Sequence, residues 1–125
     1  MVLGVGLDIV ETARVARALA IHGHRFEERV YTPGELAACV ARTDRAQALA
    51  GRFAAKEAFL KAMGTGWVRG VSLRQVEVVA CPGGQPALQL AGGAAAQARR
   101  KQVRNVHLSL THQPGLAAAV VILEG

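Results

Sequence analysis

Residues 45–63 read RAQALAGRFAAKEAFLKAM, and this stretch decides how the rest of the chain must be arranged. On a helical wheel at about 100° per residue, Ala46, Leu49, Phe53 and Leu60 fall within one narrow apolar stripe. The opposite side carries Ala48, Gly51, Ala55, Ala58 and Ala62. It has neither charge nor bulk, whereas a solvated helix face is normally rich in Lys and Glu. The spacing therefore predicts a helix covered on two sides, with a small-residue face that another element can approach closely. Its charges are confined to two flanks, Arg45, Arg52 and Lys56 on one and Glu57 and Lys61 on the other. Thr43 or Asp44 supplies the start, and Gly64-Thr65-Gly66 the stop.

Upstream, residues 2–10 alternate. Leu3, Val5, Leu7 and Ile9 form one face of a strand, and Val2, Gly4, Gly6, Asp8 and Val10 the other. The two glycines strip the second face just before Asp8. They either leave room in front of the carboxylate or mark a tight packing contact, and two glycines alone favour the contact. Residues 12–21 have helical spacing that ends at His22-Gly23-His24, and a short helical stretch covers residues 25–30. Thr32-Pro33-Gly34-Glu35 is a capping-box signature that opens a helix running to about Arg42.

Downstream, residues 72–81 and 86–90 read as an antiparallel hairpin around Pro82-Gly83-Gly84-Gln85. Residues 94–102 form a short Ala-rich helix ending in Arg99-Arg100-Lys101. Residues 105–112 and 116–123 are two more strands. The order β-ααα-ββ-α-ββ predicts an α+β fold with helices packed on a mostly antiparallel sheet. A length of 125 residues fits one domain spanning 1–125, which buries about two thirds of its surface on folding. With an apolar fraction of 51% and only five aromatic residues, the core is mostly aliphatic.

Fifteen basic residues against nine acidic ones give a net charge of +6, and twelve of the fifteen are Arg. Arg favours planar oxyanions, so an anionic partner is expected. Cys39 and Cys81 make neither a disulfide framework nor a CxxC. Met1–Val10 does not read as a signal peptide, and the uncharged stretches are broken by Pro, Gly and Gln, so a cytoplasmic protein with no membrane span is expected. A nucleic-acid-binding module using Arg99, Arg100, Lys101 and Arg104 would explain the charge, but no aromatic platform interleaves with those bases.

Two acidic residues stand out. Glu57 lies at the margin of the apolar stripe, where an ionised carboxylate is costly unless it is paired or metal-bound. An i,i+4 pair with Lys61 is the ordinary solution. Asp8, behind its glycines, offers another: two carboxylates together suit a hard cation such as Mg²⁺, which takes one or two protein carboxylates alongside substrate phosphates. His112, at a strand end, is read as a hydrogen-bonded core-edge residue or as a ligand contact at a cleft rim.

Four segments resemble the holo-acyl-carrier-protein synthases, the short 4′-phosphopantetheinyl transferases. Gly4-Val5-Gly6-Leu7-Asp8 with Arg14 is similar to the family's G-x-G-x-D…R motif. Arg52 to Gly66 is similar to R-F-A-x-K-E-A-x-x-K-A-x-G-T-G nearly throughout. Gly84-Gln85-Pro86 resembles G-[KR]-P, with Gln85 where a basic residue is usual, and Ser109-Leu110-Thr111-His112 resembles a family strand end. The resemblance implies transfer of 4′-phosphopantetheine from coenzyme A to a serine of an apo acyl carrier protein, releasing adenosine 3′,5′-bisphosphate, in fatty acid biosynthesis. It assigns Asp8 and Glu57 to Mg²⁺, and Glu57 and Lys61 to catalysis. It assigns Arg52, Lys56, Lys61, Gly64, Thr65, Gly66, Pro86, Ser109, Thr111 and His112 to coenzyme A. It also implies a homotrimer with sites at subunit interfaces. Carriers of this class are acidic, so Arg14 and Arg25, with Phe26 as an apolar anchor, are the expected docking residues.

Overall fold

The computed structural model describes residues 1–64 and 70–125. Strand, helices, hairpin, helix and two strands succeed one another as expected, with four α-helices rather than three between the first strand and the hairpin. β1 (Val2–Glu11) leads into α1 (Thr12–His22) and α2 (His24–Val30), which are separated only by Gly23 at φ 52°. α3 (Pro33–Cys39) begins with the expected capping box: the Thr32 hydroxyl accepts from the Glu35 backbone N–H, and the Glu35 carboxylate accepts from that of Thr32. α4 (Arg45–Met63) has the bounds read from the sequence, although Asp44 at its N-cap makes no side-chain capping bond. Asp44 is held instead by Arg42 at 2.8 and 2.9 Å.

The expected strand over residues 72–81 begins later. A 3₁₀ turn at Leu73–Gln75 precedes β2 (Val76–Ala80), because Ser72 and Gln75 form a second capping box that closes the turn. β2 pairs antiparallel with β3 (Pro86–Leu90). α5 (Gly92–Arg100), β4 (Asn105–Gln113) and β5 (Leu116–Glu124) complete the chain. The larger sheet has the order β1-β5-β4, antiparallel throughout. The fold is α+β, with α4 laid across one face of this sheet.

The glycines of β1 are what admit α4. A Cβ added at Gly6 would fall on the Ala58 carbonyl oxygen and lie 2.6 Å from the Ala62 nitrogen. One at Gly4 would fall on the Ala62 carbonyl oxygen. Backbone meets backbone, with Ala58 and Ala62 of the small-residue face buried at the contact. Leu49, Ala54, Ala55, Phe59 and Leu60 are buried on other sides of the same helix, so α4 is enclosed as predicted. Inward Ala117, Ala119, Val121 and Leu123 of β5 meet it from the sheet.

The other face of β1 is the unexpected one. Leu3, Val5, Leu7 and Ile9 are 41–62% exposed. Cross-strand neighbours Val120 and Ile122 of β5 and Ser109 and His107 of β4 continue the same outward face. The most aliphatic surface of the strand thus points away from the core, because only the glycine face lets the helix approach.

A polar network locks the far side of α4. Lys56 is completely buried. Its ammonium donates to Glu35 Oε1 at 2.7 Å, the Leu73 carbonyl at 3.0 Å and the Val76 carbonyl at 2.7 Å. Glu35 Oε2 accepts from the Val78 N–H at 2.8 Å, and Thr32 Oγ1 donates to Glu77 Oε2 at 2.6 Å. Burial pulls the Lys56 ammonium below its ordinary pKa, and the Glu35 carboxylate opposes that shift. One ion pair thereby ties α3, α4 and the entry to β2 together.

Two stability contrasts follow. Gly6→Ala is expected to lose about 3 kcal/mol, because the obstacle is backbone. Gly51→Ala, with nothing within 4 Å of an added Cβ, should gain about 0.5–1 kcal/mol of helix propensity. Lys56→Ala leaves the buried Glu35 carboxylate without its counter-charge and should cost about 3–5 kcal/mol. Lys61→Ala, whose side chain is 55% exposed, should stay within about 1 kcal/mol. Urea denaturation of the four variants measures all of them.

Candidate active site

Asp8 and Glu57 come from adjacent elements. The β1–α4 contact sets them near one another at its solvent edge. Asp8 stands between the inward positions of Gly6 and Val10, and its side chain is 13% exposed. Lys61 donates to Asp8 Oδ1 at 2.9 Å and to the Leu7 carbonyl at 3.0 Å. The expected i,i+4 pair with Glu57 is therefore replaced: among the described residues, Lys61 pairs with Asp8. The reason is tertiary, since β1 offers a partly buried carboxylate and a carbonyl together.

Glu57 is left half-buried without an ion pair among the described residues. Burial, and then the negative charge of Asp8, push its carboxyl above the ordinary range. Lys61 and Arg14 pull the other way. Two carboxylates that repel each other, one already holding an ammonium as a stand-in cation, are a donor set that fits a hard divalent ion. Among the described residues, no group of three or more His, Cys, Asp or Glu side chains gathers to bind a metal. Protein carboxylates would thus supply only part of a coordination shell, as at Mg²⁺ sites completed by phosphate and water.

The residues expected to bind coenzyme A are not gathered around one point. Gly64 is the left-handed C-cap of α4 at φ 74°. Lys101, at the end of α5, bonds to the neighbouring Met63 carbonyl. Thr65 and Gly66 lie outside the described residues. His112 is at the opposite end of α4, where Gln47 reaches its ring, about 25 Å from Gly64 along the helix axis. Ser109 and Thr111 are exposed on the outer face of the sheet, with His112 on the opposite parity. Pro86 opens β3 in the smaller sheet. Arg52 donates through Nη1 to the Ala48 carbonyl at 3.1 Å, and its buried Nε has no partner among the described residues.

Lys56 requires correction. Its place in the sequence motif suggested an anion-binding lysine, but its ammonium is fully buried and gives three hydrogen bonds to protein oxygens. Lys56 is 140° around the helix from Lys61, and that rotation sends it into the core.

A basic surface adjoins the acidic pair. Arg14 is exposed on α1, close enough to Glu57 to bias its charge. Arg25, Phe26 and Arg29 line a groove of about 640 Å³ with His22, Glu28 and Arg74. Phe26 is anchored from behind, edge-on to Tyr31 at 5.8 Å and stacked on Phe53 at 6.4 Å. Sequence reasoning missed Arg74, Lys101 and Gln47 at these positions. Each reaches its place through a tertiary contact, with no local signal. No described helix is long and apolar enough to cross a membrane.

Comparison with known proteins finds relatives over the whole chain. Residues 4–121 match the model of the 4′-phosphopantetheinyl transferase superfamily. The chain is 54% identical to a holo-[acyl-carrier-protein] synthase of Anaeromyxobacter dehalogenans, over all of this chain and 98% of that protein. The crystal structure of holo-[acyl-carrier-protein] synthase from Neisseria meningitidis superposes with a TM-score of 0.91 at 33% identity, covering 100% of both chains. That from Helicobacter pylori, in complex with coenzyme A, superposes with a TM-score of 0.84 at 28% identity, covering 96% of this chain and 99% of that one. With the acidic pair, the lysine and the fold all in place over the full length, the chain belongs to the holo-acyl-carrier-protein synthase family of 4′-phosphopantetheinyl transferases.

Proposed function

We propose that the protein transfers 4′-phosphopantetheine from coenzyme A to a serine hydroxyl of an acidic apo acyl carrier protein, releasing adenosine 3′,5′-bisphosphate, in an Mg²⁺-dependent reaction. The cluster of Asp8, Glu57 and Lys61 carries this reading. Asp8 and Glu57 would hold the metal, which when bound supplies positive charge against the pyrophosphate of coenzyme A.

The chain's own groups account for the proton movements. Glu57 takes the proton of the carrier serine directly or through one water. The serine oxygen then bonds to the phosphopantetheine phosphorus, and the pyrophosphate P–O bond breaks on the nucleotide side. Lys61 Nζ, exposed at the mouth of the site, moves from Asp8 to the departing phosphate, giving it a hydrogen bond or a proton. Positioning and electrostatics supply most of the rate in such a displacement. No resident nucleophile is needed, because the attacking hydroxyl belongs to the partner.

Arg52, whose Nε has no partner among the described residues, would take a phosphate oxygen, alongside Gly64, Thr65, Gly66, Pro86, Ser109, Thr111 and His112. Arg14, Arg25 and Phe26 dock the carrier, Phe26 as the apolar anchor between the two cations. Charge complementarity there raises the association rate and makes it sensitive to salt.

The site is divided between chains. One chain holds Asp8, Glu57 and Lys61 along the C-terminal half of α4 and His112 beside its first turn, and a second copy that brings its His112 end alongside would set both groups against one ligand. The outer face of Leu3, Val5, Leu7 and Ile9 is the aliphatic surface for that contact. A head-to-tail contact closes into a ring when its rotation allows, and with the family resemblance we assign a homotrimer with three sites. The expected setting is the cytoplasm, and the whole chain acts as one domain.

Glu57→Gln is expected to reduce the mass gain of an apo carrier, incubated with coenzyme A and Mg²⁺, at least a hundredfold while far-ultraviolet circular dichroism stays unchanged. Equal mass gain in variant and wild type would remove Glu57 from the chemistry. Leu7→Asp should turn the assembly into monomers on light scattering and lower transfer at least tenfold. An active monomer would refute the shared site.

A further inference from the structure

Gln47 stands in the first turn of α4, and its side chain reaches the end of β4. Its Nε2 lies 2.8 Å from the Gln113 carbonyl oxygen and 3.2 Å from His112 Nδ1. A carbonyl oxygen accepts only, so Gln113 selects the amide nitrogen of Gln47 and fixes which way the amide faces. That nitrogen carries two hydrogens and accepts none. One goes to Gln113, and the other is directed at His112 Nδ1, which must then be the bare nitrogen of the ring. A neutral imidazole has one N–H, and here it resides on Nε2.

We infer that Gln47 is a positioning residue that holds His112 as the Nε2–H tautomer, so that His112 meets coenzyme A as a neutral donor through Nε2. This rests on the reading above that His112 belongs to the coenzyme A site. The ligand oxygen it addresses is an acceptor, a phosphate or a hydroxyl oxygen. His112 also lines a cavity of about 210 Å³ with Thr111, Ile9 and Leu116, so the ring borders open space beside the Thr111 hydroxyl position. An acidic group close to the ring is Asp44, just before α4. Its carboxylate is engaged by both Nε and Nη2 of Arg42. The ring orientation is thus set by a neutral amide nitrogen, which only donates, and the tautomer follows from that choice of partner.

The test uses the full chain, with ¹⁵N-labelled histidine and the His112 signals assigned by their loss in His112→Ala. Wild type is expected to show a bare, pyridine-like Nδ1 and a protonated, pyrrole-like Nε2. Gln47→Glu replaces the donor by an acceptor and should move the proton to Nδ1. Gln47→Leu should give an averaged spectrum. Both variants should raise KM for coenzyme A about five- to tenfold, the worth of one hydrogen bond, with kcat within about twofold. A wild-type ring protonated on Nδ1, or a Gln47→Leu spectrum identical to wild type, overturns the inference. If the tautomers behave as stated but His112→Ala leaves KM unchanged, the placement of His112 in the coenzyme A site fails, while the hold by Gln47 stands.

Discussion

The structure depends on the closeness of β1 to α4. Two glycines two residues apart on the strand meet the carbonyl oxygens of Ala58 and Ala62 on the helix, with no side chain between them. The contact fixes the depth of the helix on the sheet. It also fixes the register in which Asp8 of β1 faces Lys61 of α4, because Lys61 bonds to both Asp8 and the Leu7 carbonyl beside it. Any added bulk at Gly4 or Gly6 would lift the helix, and the acidic pair and its lysine would separate together.

The same helix gives its two lysines opposite environments. Lys56 is taken into the interior and fully neutralised by Glu35 and two backbone carbonyls. Lys61 is left at the solvent edge with one carboxylate and one carbonyl. A buried pair of this kind is strongly destabilising to break, because the surviving charge has no solvent to turn to. An edge pair exchanges its partners cheaply. The rigid lysine thus organises α3, α4 and β2, and the loosely held one stays at the solvent edge, where its partners can be exchanged.

The fold's treatment of its aliphatic residues is equally uneven. β1 places its glycine face against α4 and leaves Leu3, Val5, Leu7 and Ile9 outward. A lone domain gains nothing from an exposed row of this kind. In the proposed assembly, a neighbour that covers the sheet would account for both this row and the spread of the expected ligand contacts along α4. Stability and function would then draw on one surface.

Much of this was legible in the residues. The periodicity of residues 45–63, the Thr32–Glu35 capping box and the hairpin turns are local devices, so the element order, the bounds of α4 and the α+β class follow from sequence alone. The long motif from Arg52 to Gly66 pointed to the family, and Asp8 and Glu57 to its acidic pair. Other features depended on contacts between elements far apart in the chain. The rotation of Lys56 into the core, the pairing of Lys61 with Asp8 instead of Glu57, and the grip of Gln47 on His112 each join residues between 21 and 65 positions apart. A wheel or an alternation pattern places a side chain on a face of its own element, but the partner that face meets is settled only by packing. For that reason the sequence determined the elements and the candidate chemistry, and the tertiary structure alone decided which charges are structural and which remain available.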